Sequence, residues 1–291
     1  MLRIVQSASV GQAKRYYSEG LTREGYYSEG QEMAGHWGGR GAAALGLEGS
    51  IGKEAFAMLC DNINPVTGGN LTQRMKANRR VGWDFNWNLP KSVSLAYMWR
   101  KEEREAILGV VVSSMRATMG DIENEMATRV RKGGRDELRK TKNLISAEFI
   151  HFTSRPVDGT PDMNLHGHIY VFNSTFDPVE KQWKAAELSE IIANAGYYQA
   201  AFLMRVATGL RELGFEIEAK NGSFELAGIP RSLIEKFSRR AKAVEAKAKE
   251  LGITTAEGRD GLAALTREKK VKDASISDLE PIWWQRLSPG T

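Results

Sequence analysis

His151-Phe-Thr-Ser-Arg-Pro-Val-Asp-Gly-Thr-Pro-Asp-Met-Asn-Leu-His166-Gly-His168-Ile-Tyr-Val-Phe172 decides how this chain folds and what it does. The protein has four histidines, and three of them lie between positions 151 and 168. Leu144 to Ile150 ahead of this stretch, and Ile169 to Phe172 at its end, are rich in β-branched and aromatic residues and read as strands. Thr153 to Asn164 holds two prolines, a glycine and two aspartates, and reads as a loop. Side chains alternate along a strand, so His166 and His168 share a face and Gly167 occupies the other. An antiparallel pairing would set the end of the first strand, with His151, beside the start of the second. Three imidazoles meeting at one point would form a nitrogen-rich site for a divalent metal, with coordination positions left open for substrate.

A second strand pattern lies upstream. In Val81-Gly-Trp-Asp84-Phe-Asn-Trp-Asn-Leu, Val81, Trp83, Phe85 and Trp87 face one way and Asp84, Asn86 and Asn88 the other. An acidic residue amid so regular an alternation faces either solvent or a polar site. Pro90-Lys91-Ser-Val-Ser then opens a helix expected to run to about Met119, since proline is tolerated in a first turn. Residues 121–142 read as helix, a Gly133-Gly134 break and a basic patch. Asn221-Gly222 marks a hairpin, and from Pro230 the composition turns to basic Ala/Lys/Arg/Glu helix. Near the start, Tyr16-Tyr17-Ser-Glu-Gly20 recurs as Tyr26-Tyr27-Ser-Glu-Gly30, which places half of the eight tyrosines within twelve residues. Adjacent helical side chains diverge by roughly 100°, so one tyrosine of each pair is expected in the core and the other is a nucleophile or stacking candidate.

Composition narrows the function classes. The 291 residues suit one large domain or a domain with a small appendage. Apolar residues make up 42%, enough for a proper core, and the net charge of +5 is compatible with a nucleic-acid partner. Cys60 is the single cysteine, which excludes a disulfide framework and a cysteine-based zinc site. No apolar run reaches membrane-span length and no signal peptide is evident, so a soluble, cytoplasmic protein is expected. The glycines after His36-Trp37 lack the Gly-Lys-Ser/Thr of a phosphate loop.

Taken together, the Tyr16-Tyr17 and Tyr26-Tyr27 pairs, Gly82-Trp-Asp84-Phe-Asn-Trp-Asn-Leu-Pro-Lys-Ser-Val-Ser94, His151-Phe-Thr-Ser-Arg155 and Leu165-His-Gly-His168 resemble the TrwC/TraI-like relaxase domain of conjugative plasmids (MOBF type), within the HUH endonuclease superfamily. Phe237-Ser-Arg-Arg240 resembles the start of that family's later helical region. Gly167 departs from the pattern, which has a hydrophobic residue there, and this bears on sheet packing. Family members commonly carry a helicase downstream, and these 291 residues contain none, as expected of an isolated domain or a natural short form. The resemblance implies an α+β fold, a central antiparallel sheet flanked by helices, spanning residues 1–291 as a single domain. Within it, residues 1–228 would form the catalytic palm and 229–291 a basic helical region clasping bound DNA.

The resemblance also implies site-specific nicking of single-stranded origin-of-transfer (oriT) DNA through a 5′-phosphotyrosine intermediate. Tyr16 would be the nucleophile and Tyr26 a second tyrosine for a later strand transfer. His151, His166 and His168 would hold Mg²⁺ or Mn²⁺, with Zn²⁺ or Ni²⁺ as alternatives in vitro, and Asp84 would orient a histidine or accept the tyrosine proton. Arg79, Arg80, Lys91, Arg155, Arg239 and Arg240 would contact DNA. Hairpin oriT DNA, relaxosome accessory proteins and a conjugation coupling protein are the implied partners. A rolling-circle initiator or transposase of the same superfamily fits less well, because those relatives place the tyrosine after the histidines. A DNA-binding module with a structural zinc would call for a fourth ligand, and none is evident.

Overall fold

The computed structural model describes residues 2–7, 9–18, 35–73, 79–266, 268 and 275–287. In chain order the elements are β1 (Arg3–Gln6), α1 (Val10–Ser18), β2 (His36–Gly38), α2 (Arg40–Ala44), α3 (Lys53–Cys60), β3 (Gly82–Asn88), α4 (Lys91–Trp99), α5 (Arg104–Glu125), β4 (Ala127–Lys132) and β5 (Arg135–Lys140). There follow β6 (Ser146–Thr153), β7 (Met163–Phe172), β8 (Thr175–Asp177), β9 (Gln182–Lys184), β10 (Ala186–Glu187), α6 (Ser189–Ala193), α7 (Ala195–Glu212), β11 (Ile217–Lys220), β12 (Ser223–Leu226), α8 (Arg231–Lys236), α9 (Arg239–Glu250), α10 (Ala256–Leu265) and α11 (Ile276–Gln285).

The central sheet has five strands in the order β1-β3-β7-β6-β2, each neighbouring pair antiparallel. This is the α+β arrangement, a central antiparallel sheet with helices about it, that the resemblance implies. The alternation holds residue by residue. Trp83, Phe85 and Trp87 of β3, Leu165, Ile169 and Val171 of β7, and Ile150 and Phe152 of β6 join the larger core, with Val93, Leu95, Ile107, Val111, Phe202 and Val206 of α4, α5 and α7. Tyr97 of α4 stacks on Phe152 at 5.2 Å, and Phe202 of α7 meets Trp87 edge-on at 5.1 Å. Phe237, Leu279 and Trp283 from the C-terminal helical region belong to the same core.

The opposite face is divided. Ala147, Phe149, Tyr170 and Phe172 form a smaller core with Ala13 of α1, Ala42 of α2 and Phe56 and Leu59 of α3. The remaining positions on this face are polar: Asp84, Asn86, Asn88, His151, His166 and His168. Alternation therefore sends Trp83, Phe85 and Trp87 of β3 and Leu165, Ile169 and Val171 of β7 to the helices of one face, and Asp84, Asn86, Asn88, His166 and His168 to the other.

Gly167 has a steric explanation. It lies on the helix-packed face, where a methyl group in place of its hydrogen would sit 2.3 Å from Sδ of Met115 on α5. Met115 fills the space that the family's hydrophobic side chain would take, so packing is kept by exchange across the interface.

Two sequence expectations are corrected. The helix opened by Pro90 is two helices: Arg104 donates to the carbonyls of Tyr97 at 3.0 Å and Met98 at 2.6 Å, taking up the last carbonyls of α4 so that α5 starts afresh. Residues 121–142 are not a helix broken at glycine. After α5 ends at Glu125 they form the β4–β5 ribbon, turned by Gly133 (φ 56°) and Gly134 (φ 82°), the left-handed pair that a two-residue hairpin requires. The Asn221-Gly222 hairpin is found as expected, joining β11 to β12. Glu225 of β12 accepts from Ser92 N at 3.0 Å and thereby caps α4. Among the described residues no helix is long and apolar enough to cross a membrane.

Candidate metal centre

The ladder between β6 and β7 pairs His151 directly with His166, and His168 sits one step further along the same face. Ring centroids are 4.7 Å apart for His151–His168, 5.1 Å for His166–His168 and 5.2 Å for His151–His166. One nitrogen from each ring lies within 4.8 Å of the others. The β6 register shifts between His151 and Thr153, a local irregularity of the kind that re-aims a side chain beside a site.

Each of two rings is held by a partner that fixes its tautomer. His168 Nδ1 lies 3.0 and 2.8 Å from the two carboxylate oxygens of Asp84, the mid-strand aspartate of β3. Nδ1 therefore carries the proton and Nε2 keeps its lone pair. His166 Nδ1 donates to the carbonyl of Asn164 at 2.8 Å, with the same consequence. Burial, followed by the charge that neighbouring imidazoles would carry, pushes the His151 pKa well below its ordinary value and that of His166 to about 3. Both rings are thus neutral at neutral pH, the state in which imidazole ligates a metal. Three imidazoles converging on one point, two of them held by hydrogen bonds at Nδ1, fit a divalent cation.

Of the two readings of Asp84, the carboxylate is found with both oxygens on His168. Asn164 was not anticipated, although its position two residues before His166, on the same strand face, was a readable signal. Helix α1, which carries Tyr16, packs through Ala13 on the sheet face that holds the histidines. The side chains of residues 15–18 lie outside the described residues, and so does Tyr26.

The expected DNA-contacting cations divide into groups. Arg155 is close enough that its charge helps depress His151. Lys91 donates to the carbonyl of Met163 at 2.6 Å, and burial lowers its pKa to about 8. Arg79 donates to the carbonyl of Cys60, and with Arg80, Arg129, Arg131, Trp183 and Lys184 it lines a groove of about 720 Å³ beside the β4–β5 ribbon. Arg239 and Arg240 bond within the chain. Arg239 bonds Asp162 and the carbonyls of Val157 and Thr160, and Arg240 bonds the carbonyls of Ala263 and Thr266. Both guanidiniums hold the chain to itself. Of the tryptophans that could offer a ring to an unpaired base, Trp37 stacks on Phe56 and Trp283 is 1% exposed, while Trp284 is 49% exposed.

With this geometry in hand, comparison with known proteins is specific. The TrwC relaxase family matches residues 10–289. The multifunctional conjugation protein TraI of Escherichia coli (strain K12) is 32% identical over 303 residues, covering 99% of this chain and 16% of TraI. The chain thus spans about a sixth of the length of that relative. A metal-bound structure of conjugative relaxase TrwC in complex with oriT DNA superposes with a TM-score of 0.84 at 27% identity, covering 98% of this chain and 97% of the other. A copper-bound TrwC complex gives 0.84 at 28% identity with the same coverage. TrwC with a 27-mer comprising the recognition hairpin and the cleavage site gives 0.82 at 26%, again with that coverage. The chain belongs to the TrwC relaxase family.

Proposed function

We propose that this chain nicks one strand of oriT DNA in conjugative transfer, forming a 5′-phosphotyrosine bond and able to reseal the strand. The observation that carries this reading is the convergence of three imidazoles on the sheet face against which α1 is packed. In the reaction the Tyr16 hydroxyl oxygen attacks phosphorus, its proton passes to a base, and the bond from phosphorus to the 3′-oxygen breaks. The 3′-oxygen leaves as a hydroxyl. One phosphodiester replaces another, so the step is reversible without a nucleotide cofactor.

A phenol with a pKa near 10 is a poor nucleophile at neutral pH. A divalent cation held by His151, His166 and His168 would offset the charge developing on the non-bridging oxygens. Mg²⁺ or Mn²⁺ is the proposed ion in the cell, while an all-imidazole set also takes Zn²⁺ or Ni²⁺. Asp84 keeps the His168 ring in its ligating tautomer and orientation, and Asn164 does the same for His166. The proposed role of Tyr26 is the second strand transfer.

The β4–β5 ribbon and the groove beside it suit the double-stranded part of a hairpin. β10 pairs β4 at Ala127 and Thr128, and beyond that Arg129–Lys132 and Arg135–Leu138 stand as a two-stranded ribbon of the kind a major groove admits, with Arg131 and Arg135 exposed on it. Residues 229–291 would cover the single strand over the palm of residues 1–228. Relaxosome proteins and a coupling protein are the proposed partners, in the cytoplasm.

The test is incubation with hairpin-bearing oriT DNA and Mg²⁺ or Mn²⁺. A covalent protein–DNA adduct is expected, lost on chelation and in Tyr16→Phe. Tight binding without adduct across many origin sequences would favour a non-catalytic binding module.

A further inference from the structure

His151 and His166 stand at an end of the sheet that the sheet itself barely supports. The β3 ladder stops at the Asn88–His166 pair, so Met163 to Leu165 have no β3 partner. On the other side β2 pairs β6 only from Ser146 to Glu148. Beyond His151 the β6–β7 ladder keeps one pair, Thr153 with Met163, after its irregular step. Among the described residues, the strands carrying two of the three imidazoles would be free to splay if nothing else held them.

Helix α4 supports them from one side, through Lys91 on the Met163 carbonyl and Ser94 Oγ on Leu165 N, and the loop end is held by Asp162. Its backbone closes the hairpin: Ser154 N donates to its carbonyl at 2.9 Å, and its own N–H donates to Ser154 Oγ at 3.2 Å. Its carboxylate is 2% exposed and accepts from Arg239 Nε at 2.9 Å, Arg239 N at 3.0 Å and an Arg286 terminal nitrogen at 2.6 Å. Arg239 opens α9 and Arg286 follows α11. Five further hydrogen bonds bind the same loop to the same region. Arg239 reaches the carbonyls of Val157 and Thr160, Trp283 donates to the carbonyl of Pro161 at 2.9 Å, and Glu268 accepts from Asp158 N and Gly159 N, each at 3.0 Å. The loop between the metal histidines is therefore the place where the C-terminal helices dock.

We propose that Asp162 is a positioning residue for the metal centre: through Arg239 and Arg286 it makes the spacing of His151 and His166 depend on docking of the C-terminal helices. This rests on the reading of the three histidines as a metal site. Linkage makes the dependence reciprocal, so metal binding must favour docking by the same factor that docking favours metal binding. A strand that enters by lifting the C-terminal helices would loosen the metal until those helices close again.

The experiment uses Mn²⁺ alone with the whole chain, measuring its dissociation constant by calorimetry and amide hydrogen exchange with and without the metal. In the wild type, Mn²⁺ slows exchange in residues 231–265 and 276–287 as well as in the histidine hairpin. Asp162→Asn raises the Mn²⁺ dissociation constant about tenfold and abolishes the metal-dependent protection of the C-terminal helices, while Asp162→Glu restores part of both. Arg286→Gln removes one of the two guanidiniums and shifts the constant about threefold, which keeps the test open if Asp162→Asn does not fold. Thr175→Val is the control: Thr175 is fully buried in a hydrogen-bond network with Thr141 and Asn143, away from the loop, and its loss lowers stability without changing the Mn²⁺ constant. The proposal is overturned if folded Asp162→Asn, or Arg286→Gln where Asp162→Asn does not fold, binds Mn²⁺ within twofold of the wild type, or if Thr175→Val weakens binding equally. A wild-type chain that does not bind Mn²⁺ would overturn the metal-site reading along with it.

Discussion

Two antiparallel hairpins follow one another in this chain and have opposite surroundings. The β6–β7 pair is buried along nearly its whole length, with helices on both faces of the sheet, and carries the three histidines. The β4–β5 pair has exposed positions all along β5 apart from Arg139, and carries arginines and lysines. A reaction centre needs groups fixed within a fraction of an ångström, so it belongs on strands locked by packing on all sides. Recognition of a charged, hydrated duplex needs long cationic side chains that reach outward. On the proposed function, the molecule separates the two tasks by burial, and substitutions in one hairpin should leave the other's task untouched.

The largest expected effect is on chemistry alone. Tyr16→Phe should reduce adduct formation on the order of 10³-fold or more while hairpin binding stays at the wild-type level; a gel assay for adduct and a filter assay for binding separate the two. Next is Asp84→Asn, which removes the carboxylate that sets the His168 tautomer. It should weaken metal binding roughly 10- to 100-fold and leave hairpin affinity unchanged in the absence of metal. An equal loss of hairpin affinity would collapse the comparison.

Packing is tested by Gly167→Val. The new side chain meets Met115, so unfolding should become easier by about 1–3 kcal/mol, and Met115→Ala in the same chain should recover part of it. In the exposed ribbon, Arg131→Ala and Arg135→Ala should each lower the slope of log affinity against log salt by about 0.9 if each contacts a phosphate, with metal binding unaltered. The smallest effect concerns Lys91. Its folded pKa of about 8 is below the ordinary 10.5, so between those values the unfolded chain binds more protons. The stability contributed by this group therefore rises as pH increases from about 8 to 10.5 and is level beyond. Lys91→Met should flatten that rise, read as the change in thermal midpoint between about pH 8 and 10.5.

The same two hairpins show what the sequence could reveal. The histidine strands were legible because period-two alternation, a proline- and glycine-rich loop and the His-x-His spacing all pointed one way. The paired face of β3, with Asp84 between aromatic residues, was legible for the same reason. The ribbon was not: Ala127 to Lys132 and Arg135 to Lys140 are mostly charged, and a solvent-facing strand pair with so few apolar residues has no alternation to read. Only the Gly133-Gly134 turn marked it. The break between α4 and α5 was hidden because Arg104, an ordinary helix former in sequence, caps the preceding helix through space. The internal bonding of Arg239 and Arg240 was hidden because their partners, Asp162 and the carbonyls of residues 157, 160, 263 and 266, lie 23 to 82 positions away with nothing local to announce them. Long-range polar pairing was the part that periodicity did not carry.

The central claim is that His151, His166 and His168 together hold a divalent cation. X-ray absorption at the manganese edge of the Mn²⁺-loaded protein tests it most directly. The account predicts a first shell with three imidazole nitrogens and the imidazole outer-shell scattering that accompanies them, reduced by one ring in His151→Ala. A shell of oxygen atoms alone, unchanged by that substitution, would contradict it.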